Sequence, residues 1–462
     1  YYSINNSSYV EGTSTYTFTN LNEQTAYTIK VKVADTNGRM SNEYSLNATT
    51  DAYKLPTIAD VTTSSTYNSI TINVSGQNGD GTITEYYYSK DDGSNYVKST
   101  SSSYTFTELT SNTTFYIKVY VKDSNGRDSS EFIIRTLTKQ LTIANYCSSG
   151  TDLATCVKNF GNQGPDISNI YIHNSSLDNG AGDNSYRYAG ASESVNNFVC
   201  FGSTKTPCPT DNLYRIIGVF GENNHGVTGK QLVKLIKYDY ATSNLLGTDG
   251  DYKRPSAPNS TYYKGSLSSI DEYSWNYKAT NDASNEWSTS LLNKINLNTN
   301  YLNNIGTTWS NLIEDATWKV SGHTEQSVIP SEMYTKEITN AFKTYGPSDG
   351  TSKIGLVYAS DYGFAASPSA WTKTLDKYGD NDANGTSIKT INWMHIGHEE
   401  WTISPNFWGS TTVFFLSPNG YVFKFNSASN GFGSRPVLYL KSSVLYAGGS
   451  GTKDSPITLV VW

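Results

Sequence analysis

The chain has 462 residues and a formal net charge of −7; 36% of it is apolar and 16% charged, below the roughly 45–50% and 25% of average soluble proteins. Charges of both signs are dispersed, which leaves no basic stripe for nucleic acid, and no run of about 18 apolar residues exists to insert in a membrane. An aromatic content of 13% separates the chain from disordered polymers, and its length calls for roughly two to four domains.

A repeat opens the chain. TYTFTNLNEQTAYTIKVKVADTNGRMS, from Thr15, recurs as SYTFTELTSNTTFYIKVYVKDSNGRDS, from Ser103, so Tyr16 and Asp35 match Tyr104 and Asp123, each 88 positions on. Both copies alternate apolar and polar residues and close on D-[ST]-N-G-R, the pattern of half-buried strands ending in a tight turn. A period near 90 residues with several short strands predicts β-sandwiches. Leu21 and Tyr27, followed by IKVKV, resemble the tyrosine corner and next strand of fibronectin type III modules. The second copy departs from that pattern, with Phe115 at the corner and Tyr116 beside it, and neither copy shows a strand-B tryptophan. The resemblance implies a partial module at 1–51 and a whole one at 52–138, as in a chain cut from a longer array; a start at Tyr1, with no initiator Met or signal peptide, fits a processed or partial chain. Asn125-Gly126-Arg127-Asp128 also matches an integrin-type motif, but the same turn in both copies favours a structural role.

The repeat is absent from 139–462. Cys147, Cys156, Cys200 and Cys208 fall as two local pairs without CxxC spacing. They read as two disulfides of an oxidising compartment rather than as metal ligands or free thiols, local pairing being favoured among three connectivities. TDLATCVKNF predicts a short helix capped by Asp152, and NLYRIIGVF and QLVKLIKYDY predict buried strands. Helices are predicted in STSLLNKINLNTNYL, TTWSNLIEDATW and PSEMYTKEITNAFKTYG. A core strand with its turn follows in IGLVYASDYGF, then a hairpin in VFFLSPNGYVFKF and a last strand in PITLVVW. This order predicts an α+β domain.

The strings YRYAGA, NNFVCFG, CPTDNLYRIIGVF, LIEDATWKVSG, IGLVYASDYGFA, WTISP, V-F-x-L-x-x-x-G-x-V and GSRPVLYLKSSV carry a second resemblance. Together they are similar to a C-terminal domain of surface proteins of gut Bacillota and their phages, with a C-type-lectin-like fold of the formylglycine-generating-enzyme-like branch. Variable proteins of diversity-generating retroelements share the frame. The fold class implied is multidomain: immunoglobulin-like all-β sandwiches followed by an α+β C-type-lectin-like domain at 139–462. The enzymatic branch uses cysteines late in the domain, and none follows Cys208 here.

Catalytic patterns are thin. Of the five histidines, His173, His225, His323, His395 and His398, the last two lie in MHIGHEEW with Glu399 and Glu400, which is not HExxH and reads as a polar loop. No nucleophile elbow, P-loop or dinucleotide fingerprint stands in a supporting context. A carbohydrate-active enzyme needs paired carboxylates in a cleft, and candidates such as Asp361 and Glu399 are not paired by the sequence. Asp380, Asp382 and Asn384, before Gly385, match the start of a calcium loop, but the twelfth position is Ile391 rather than Glu. That loop reads either as a calcium site, the one cofactor the chain suggests, or as a solvated turn. The Glu-Pro-Asn pattern of calcium-dependent sugar binding is absent.

Between Ser404-Pro405 and Arg435-Pro436 the residues are nearly all Asn, Ser, Thr, Gly and aromatics, the composition of binding surfaces that combine rigid rings with adaptable hydrogen bonding. The contact positions expected are Asn406, Phe407, Trp408, Ser410, Thr412, Phe415, Tyr421, Phe423, Phe425, Asn426, Ser429, Asn430 and Phe432. Alternation sets Val413, Phe415, Tyr421, Phe423 and Phe425 on one face and Phe414, Leu416, Val422 and Lys424 on the other. By alternation alone the aromatic face is core. The resemblance implies the reverse, with Phe414, Leu416 and Val422 as frame and the aromatics outward, and the outward reading is preferred.

The function expected is therefore non-enzymatic binding: an adhesin or phage receptor-binding fibre, extracellular on a bacterial or virion surface, recognising a host-cell surface protein or glycan. With no sorting motif or anchor after the last strand, attachment is expected from the N-terminal side. A homo-oligomer (a trimer) or a filament is the expected assembly. The alternatives are a filament or virion-decoration subunit using the same face for assembly, and a carbohydrate-active enzyme.

Overall fold

The computed structural model of the chain describes residues 1–221, 227–248, 263–267, 270–276, 285–339 and 350–461, with the backbone alone for 267 and 425–427. His225 and the end of PSEMYTKEITNAFKTYG lie outside the described residues. The chain divides into two units, Tyr1–Leu141 and Thr142–Trp462.

In the first unit, the first repeat is one antiparallel sheet ordered β1 (Tyr2–Ile4), β2 (Ala26–Val31), β3 (Tyr44–Thr49). The second repeat has seven strands: β4 (Thr57–Ser65), β5 (Ile70–Gln77), β6 (Ile83–Ser89), β7 (Val97–Ser99), β8 (Ser103–Phe106), β9 (Thr114–Asp123) and β10 (Phe132–Leu137). They form two sheets, β4-β5-β8 and β10-β9-β6-β7, the sandwich of a fibronectin type III-like module. The register repeats with the sequence: β2 and β9 begin at Ala26 and Thr114, and β3 and β10 at Tyr44 and Phe132. Even the rings recur, with Tyr2 stacked on Tyr16 and Tyr88 on Tyr104, both at 5.2 Å.

The turn chemistry is shared as well. Asp35 Oδ1 accepts from the Asn37 and Arg39 N–H groups, and Asp123 Oδ1 from those of Asn125 and Arg127. Gly38 and Gly126 take φ near +79° and +78°, which only glycine adopts without strain. Arg127 is held by Asp123 at 2.9 Å and lies 4.8 Å over the Tyr53 ring, so this turn is a folded corner. The tyrosine corner is real in the first copy, where the Asn22 N–H donates to the Tyr27 hydroxyl at 2.8 Å. Where Phe115 lacks that hydroxyl, a threonine common to both copies remains: Thr50 donates to Asn22 O, and Thr138 to Thr110 O at 2.7 Å.

The copies differ in what covers them. Ile117, Val119 and Val121 are fully buried between two sheets, whereas their counterparts Ile29, Val31 and Val33 are half-buried or exposed, because the first repeat has a single sheet.

The second unit is built on a seven-stranded antiparallel sheet: β11 (Ile170–Ile172), β12 (Tyr186–Tyr188), β13 (Phe198–Cys200), β14 (Leu213–Phe220), β15 (Leu232–Lys237), and later β20 and β25. Smaller sheets flank it: β16 (Tyr263–Leu267) and β17 (Ile270–Ser274) with β24, and β18 (Ala316–Trp318) with β19 (Gly350–Ser352). After β20 (Ile354–Gly355) come β21 (Glu400–Asn406), β22 (Thr412–Leu416) and β23 (Val422–Ser427), a sheet of their own. The chain then adds β24 (Gly431–Phe432), β25 (Val437–Tyr439), and the pair β26 (Tyr446–Gly448) and β27 (Thr458–Leu459). The helix Leu153–Gly161 starts at Asp152, whose carboxylate accepts from the Thr155 N–H, and packs against β11, β12, β14 and β15. The disulfides join Cys147 to Cys156 and Cys200 to Cys208. The two ends of the unit meet: Gly150 and Leu153 N–H groups donate to Tyr446 and Val444 carbonyls, and Asp152 bridges Leu445.

Three predicted elements change. STSLLNKINLNTNYL winds as a π-helix over Leu292–Tyr301, its asparagines pinned elsewhere: the Asn298 side chain bonds both the N–H and the C=O of Ile354. IGLVYASDYGF keeps only two strand residues and then forms the buried helix Ala359–Ala365. Its first N–H groups, of Ala359 and Ser360, donate to the Glu337 carboxylate at 3.0 and 3.2 Å, which satisfies a helix start lacking a cap of its own. TTWSNLIEDATW splits into the helix Thr307–Ser310 and the strand β18.

Candidate ligand-binding surface

The sheet β21-β22-β23 carries the stretch singled out by composition. It is fastened to the unit by buried charge. Arg435 pairs with Glu400 at 2.8 Å and donates to the Met394 carbonyl, both side chains being buried. Deeper, Asp361 lies between Arg187 at 2.8 Å and Lys234 at 2.5 Å, and Asp183 takes the other face of Arg187 with the Tyr334 hydroxyl. Glu337 accepts from the Ser404 hydroxyl of β21, and burial pushes its carboxyl up to about 7. These buried groups are paired, as buried charges must be, which makes them scaffold. Asp361 is thus enclosed and engaged by two cations rather than open to a substrate.

Both faces of β22 are buried. Val413, Phe414 and Leu416 are fully enclosed, and Phe415 is only 6% exposed. A row of rings runs along the aromatic face: Trp401 to Phe432 at 4.4 Å, Phe432 to Phe415 at 4.9 Å, Phe415 to Phe423 at 6.0 Å, and Phe423 to Tyr421 at 5.2 Å. The row passes from core toward solvent, Phe423 and Tyr421 being half-buried. The outward reading therefore fails for Phe415 and Phe432, because β24 folds Phe432 over this face and fills it. Alternation alone had placed Phe415 in the core. It fails also for Asn406 and Phe407, both buried: the Asn406 amide donates to His323 O at 2.8 Å, and its Oδ1 accepts from the Trp408 N–H.

Tyr421 is held by the loop read as a calcium site. Its hydroxyl donates to Asp380 at 2.5 Å, and its ring lies where a side chain on Gly379 would clash. Asp382 is used within the loop, its Oδ1 accepting from the Asn384 and Thr386 N–H groups. The two carboxylates thus serve different partners, and among the described residues no group of three His, Cys, Asp or Glu side chains is placed to hold a metal. Within the loop it is Asp382 that forms the turn, while Asp380 faces Tyr421. His395 and His398 do not converge either: His395, held down to about 4 chiefly by burial, bonds Tyr362, and His398 sits edge-on to Tyr240.

What reaches solvent is narrower than the composition suggests. Trp408 is 70% exposed, and among the described residues of 142–462 it is the one large apolar side chain that is. Its backbone is clamped: the Asn285 amide donates to Gly409 O at 2.9 Å, the Asn285 N–H donates to Ser410 O, and the Thr412 hydroxyl donates to Asn406 O. Lys424 Nζ lies 5.4 Å from the Trp408 ring centroid, bonded to Glu325 at 3.1 Å and Thr324 O at 3.3 Å. Beside this pair is a cleft of about 260 Å³ lined by Gly322, His323, Thr324 and Lys336. Burial, with the Lys336 and Lys424 charges, lowers the His323 imidazole below its usual value. Ser410 and Asn430 are exposed, Thr412 and Ser429 are half-buried, and the Phe425 and Asn426 side chains lie outside the described residues.

Sequence reasoning missed the 322–326 wall. It lies some 80 residues upstream, and its one signal is Gly322, where a side chain would strike the Pro405 carbonyl.

No family model matches the chain, and no curated protein does. Among solved structures, a chitinase, ChiA74 from Bacillus thuringiensis, is 22% identical over 20% of this chain and 14% of its own, at a TM-score of 0.17. The chicken CNTN1 FN1–FN3 domains are 17% identical, covering 27% of this chain and 46% of theirs at 0.17. Domains d3–d4 of the rat CD45 extracellular region are 16% identical over 29% and 74%, at 0.18. Among the described residues no helix is long and apolar enough to cross a membrane.

Proposed function

We propose that this chain is a non-enzymatic extracellular binding protein, in which fibronectin type III-like modules precede a C-type-lectin-like recognition domain, and that it acts as an adhesin or receptor-binding fibre on a bacterial or virion surface. One observation carries the reading: among the described residues of 142–462, Trp408 is the one large apolar side chain that stands in solvent, on a backbone clamped by buried asparagines, with Lys424 and a polar cleft beside it. An exposed, preorganised tryptophan loses little entropy on contact and is the residue type most enriched at binding hot spots. The ligand class is a host surface protein or glycan. Tyr421 and Phe423 supply the half-buried margin, and Ser410 and Asn430 the polar rim.

The experiment is binding of the labelled full chain to arrays of glycans and of extracellular-matrix proteins. Wild type should retain at least one feature, and the Trp408→Ala, Lys424→Ala double variant should lose it roughly tenfold or more. Equal retention by the double variant, or no retained feature at all, sinks the proposal. Wild-type self-association that Trp408→Ala abolishes would turn the same face into an assembly contact.

A further inference from the structure

A second cleft, of about 320 Å³, is lined by Gly202, Asp211, Asn212, Lys237, Thr242, Asn244, Leu245, Asn304 and Ile305. It shares no lining residue with the cleft beside Trp408. Four pieces of chain build it. The Cys200–Cys208 loop and the turn after it bring Gly202, Asp211 and Asn212, held by an Asn212 amide bond to Phe201 O. The end of β15 brings Lys237, whose N–H is tied to Pro436 O. Thr242 and the turn Ser243–Leu246 form the third wall, and the stretch after the π-helix brings Asn304, whose amide donates to Asn244 O and Leu245 O.

Lys237 is the anomaly. It is 2% exposed, yet among the described residues no hydrogen bond, ion pair or ring contact engages its ammonium. Of the unit's other enclosed cations, Arg187, Lys234 and Arg435 each have a carboxylate, and Arg215 donates to the Asn197 side chain, the Ser192 hydroxyl and the Val195 carbonyl. Burial lowers the Lys237 amine below the usual lysine value, the Asp211 and Asp239 charges opposing that only in part. The Lys237 Nζ is not among the atoms sealed from solvent without a partner, so the ammonium keeps a narrow opening at the cleft it lines, where an anion could pair with a cation that is otherwise largely desolvated.

We infer that this cleft binds the carboxylate of an acidic sugar, with Lys237 as the counter-charge. A single ammonium with Asp211 on the rim suits a monoanion better than a phosphate dianion. The asparagine and threonine side chains suit hydroxyls, and Leu245 and Ile305 give an apolar patch for the CH face of a pyranose. The volume is at the lower end for small-molecule sites, fitting one terminal sugar.

The test uses the full chain and four probes: D-glucuronate, N-acetylneuraminate, the neutral glucuronamide, and inorganic phosphate, each titrated by calorimetry. At least one acidic sugar should bind, the amide and phosphate more weakly, and Lys237→Met should weaken the acidic sugar roughly tenfold to a hundredfold, the range of one charge-assisted hydrogen bond. Asn244→Asp, at an exposed rim position, gives a second arm if Lys237→Met fails to fold: it should also weaken the acidic sugar while leaving the melting temperature unchanged. Bound acidic sugar should further protect Lys237 from acetylation, read by peptide mass spectrometry. Equal binding of acid and amide, tighter binding of phosphate, absence of binding by both acids, or unchanged binding in the variants overturns the inference.

Discussion

Replacing Phe415 by alanine should lower the stability of residues 142–462 far more than replacing Trp408, although composition treats the two alike. Phe415 is 6% exposed and meets Phe432 at 4.9 Å and Phe423 at 6.0 Å. A buried Phe→Ala change costs about 3–5 kcal/mol, and two lost ring pairs favour the middle to upper part of that range, about 4 kcal/mol. An unfolding entropy of about 2 cal/mol/K per residue gives this unit about 0.7 kcal/mol/K, so Tm should fall by about 6 °C. Trp408→Ala removes an exposed ring and its contact with Lys424, worth at most about 1 kcal/mol, so its shift should stay under about 2 °C. Differential scanning calorimetry of both variants of the full chain, with urea titration as a check, gives the comparison. A Phe415→Ala shift as small as that of Trp408→Ala would mean the ring row is not core, and the burial argument would fall with it.

Three further outcomes are expected. Glu337 holds its proton more tightly in the folded unit, at about 7, than an ordinary carboxyl at 4.5. Stability should therefore fall as pH rises from 4.5 to 7, by up to about 3 kcal/mol, and Glu337→Gln should flatten that slope in urea titrations; an unchanged slope assigns it to other groups. Asp361→Asn leaves Arg187 and Lys234 without their shared carboxylate, and equilibrium denaturation should show a loss of about 3–5 kcal/mol. In the complete sandwich, Thr138→Val strands the Thr113 N–H and the Thr110 carbonyl, for about 1–3 kcal/mol; hydrogen exchange should report faster opening at Thr113, and unchanged protection there would show the tie is dispensable.

The sandwich was legible because strand alternation and turn residues are local: Asp123, Gly126 and Tyr104 do in the fold what their spacing promised. Asp152 and both cysteine pairs are equally short-range. The candidate surface was legible only in part. Trp408 is exposed, but Phe415 and Phe432 of the same aromatic-rich stretch are both buried, an outcome decided by β24 pairing with β17, about 160 residues upstream. The Ala359–Ala365 helix read as a turn because its start is capped by Glu337, 22 residues earlier. Lys237 carried no signal, since a lysine ending an apolar strand is ordinary until its surroundings are known.

The pairing of 150–153 with 444–446 makes the second unit a nearly closed loop of chain. Gly150 to Leu153 sit inside the loop closed by Cys147–Cys156, and beyond Tyr446 the chain is tied again where Ile457 exchanges backbone bonds with Phe198 and Cys200, so tension between the ends of the unit would enter through the disulfide on one side and those bonds on the other. The disulfides do not span the seam, each closing a loop of nine residues or fewer. Tension would thus be shared by a covalent sulfur bridge and by sheet bonds before it reached the seam between 150–153 and 444–446.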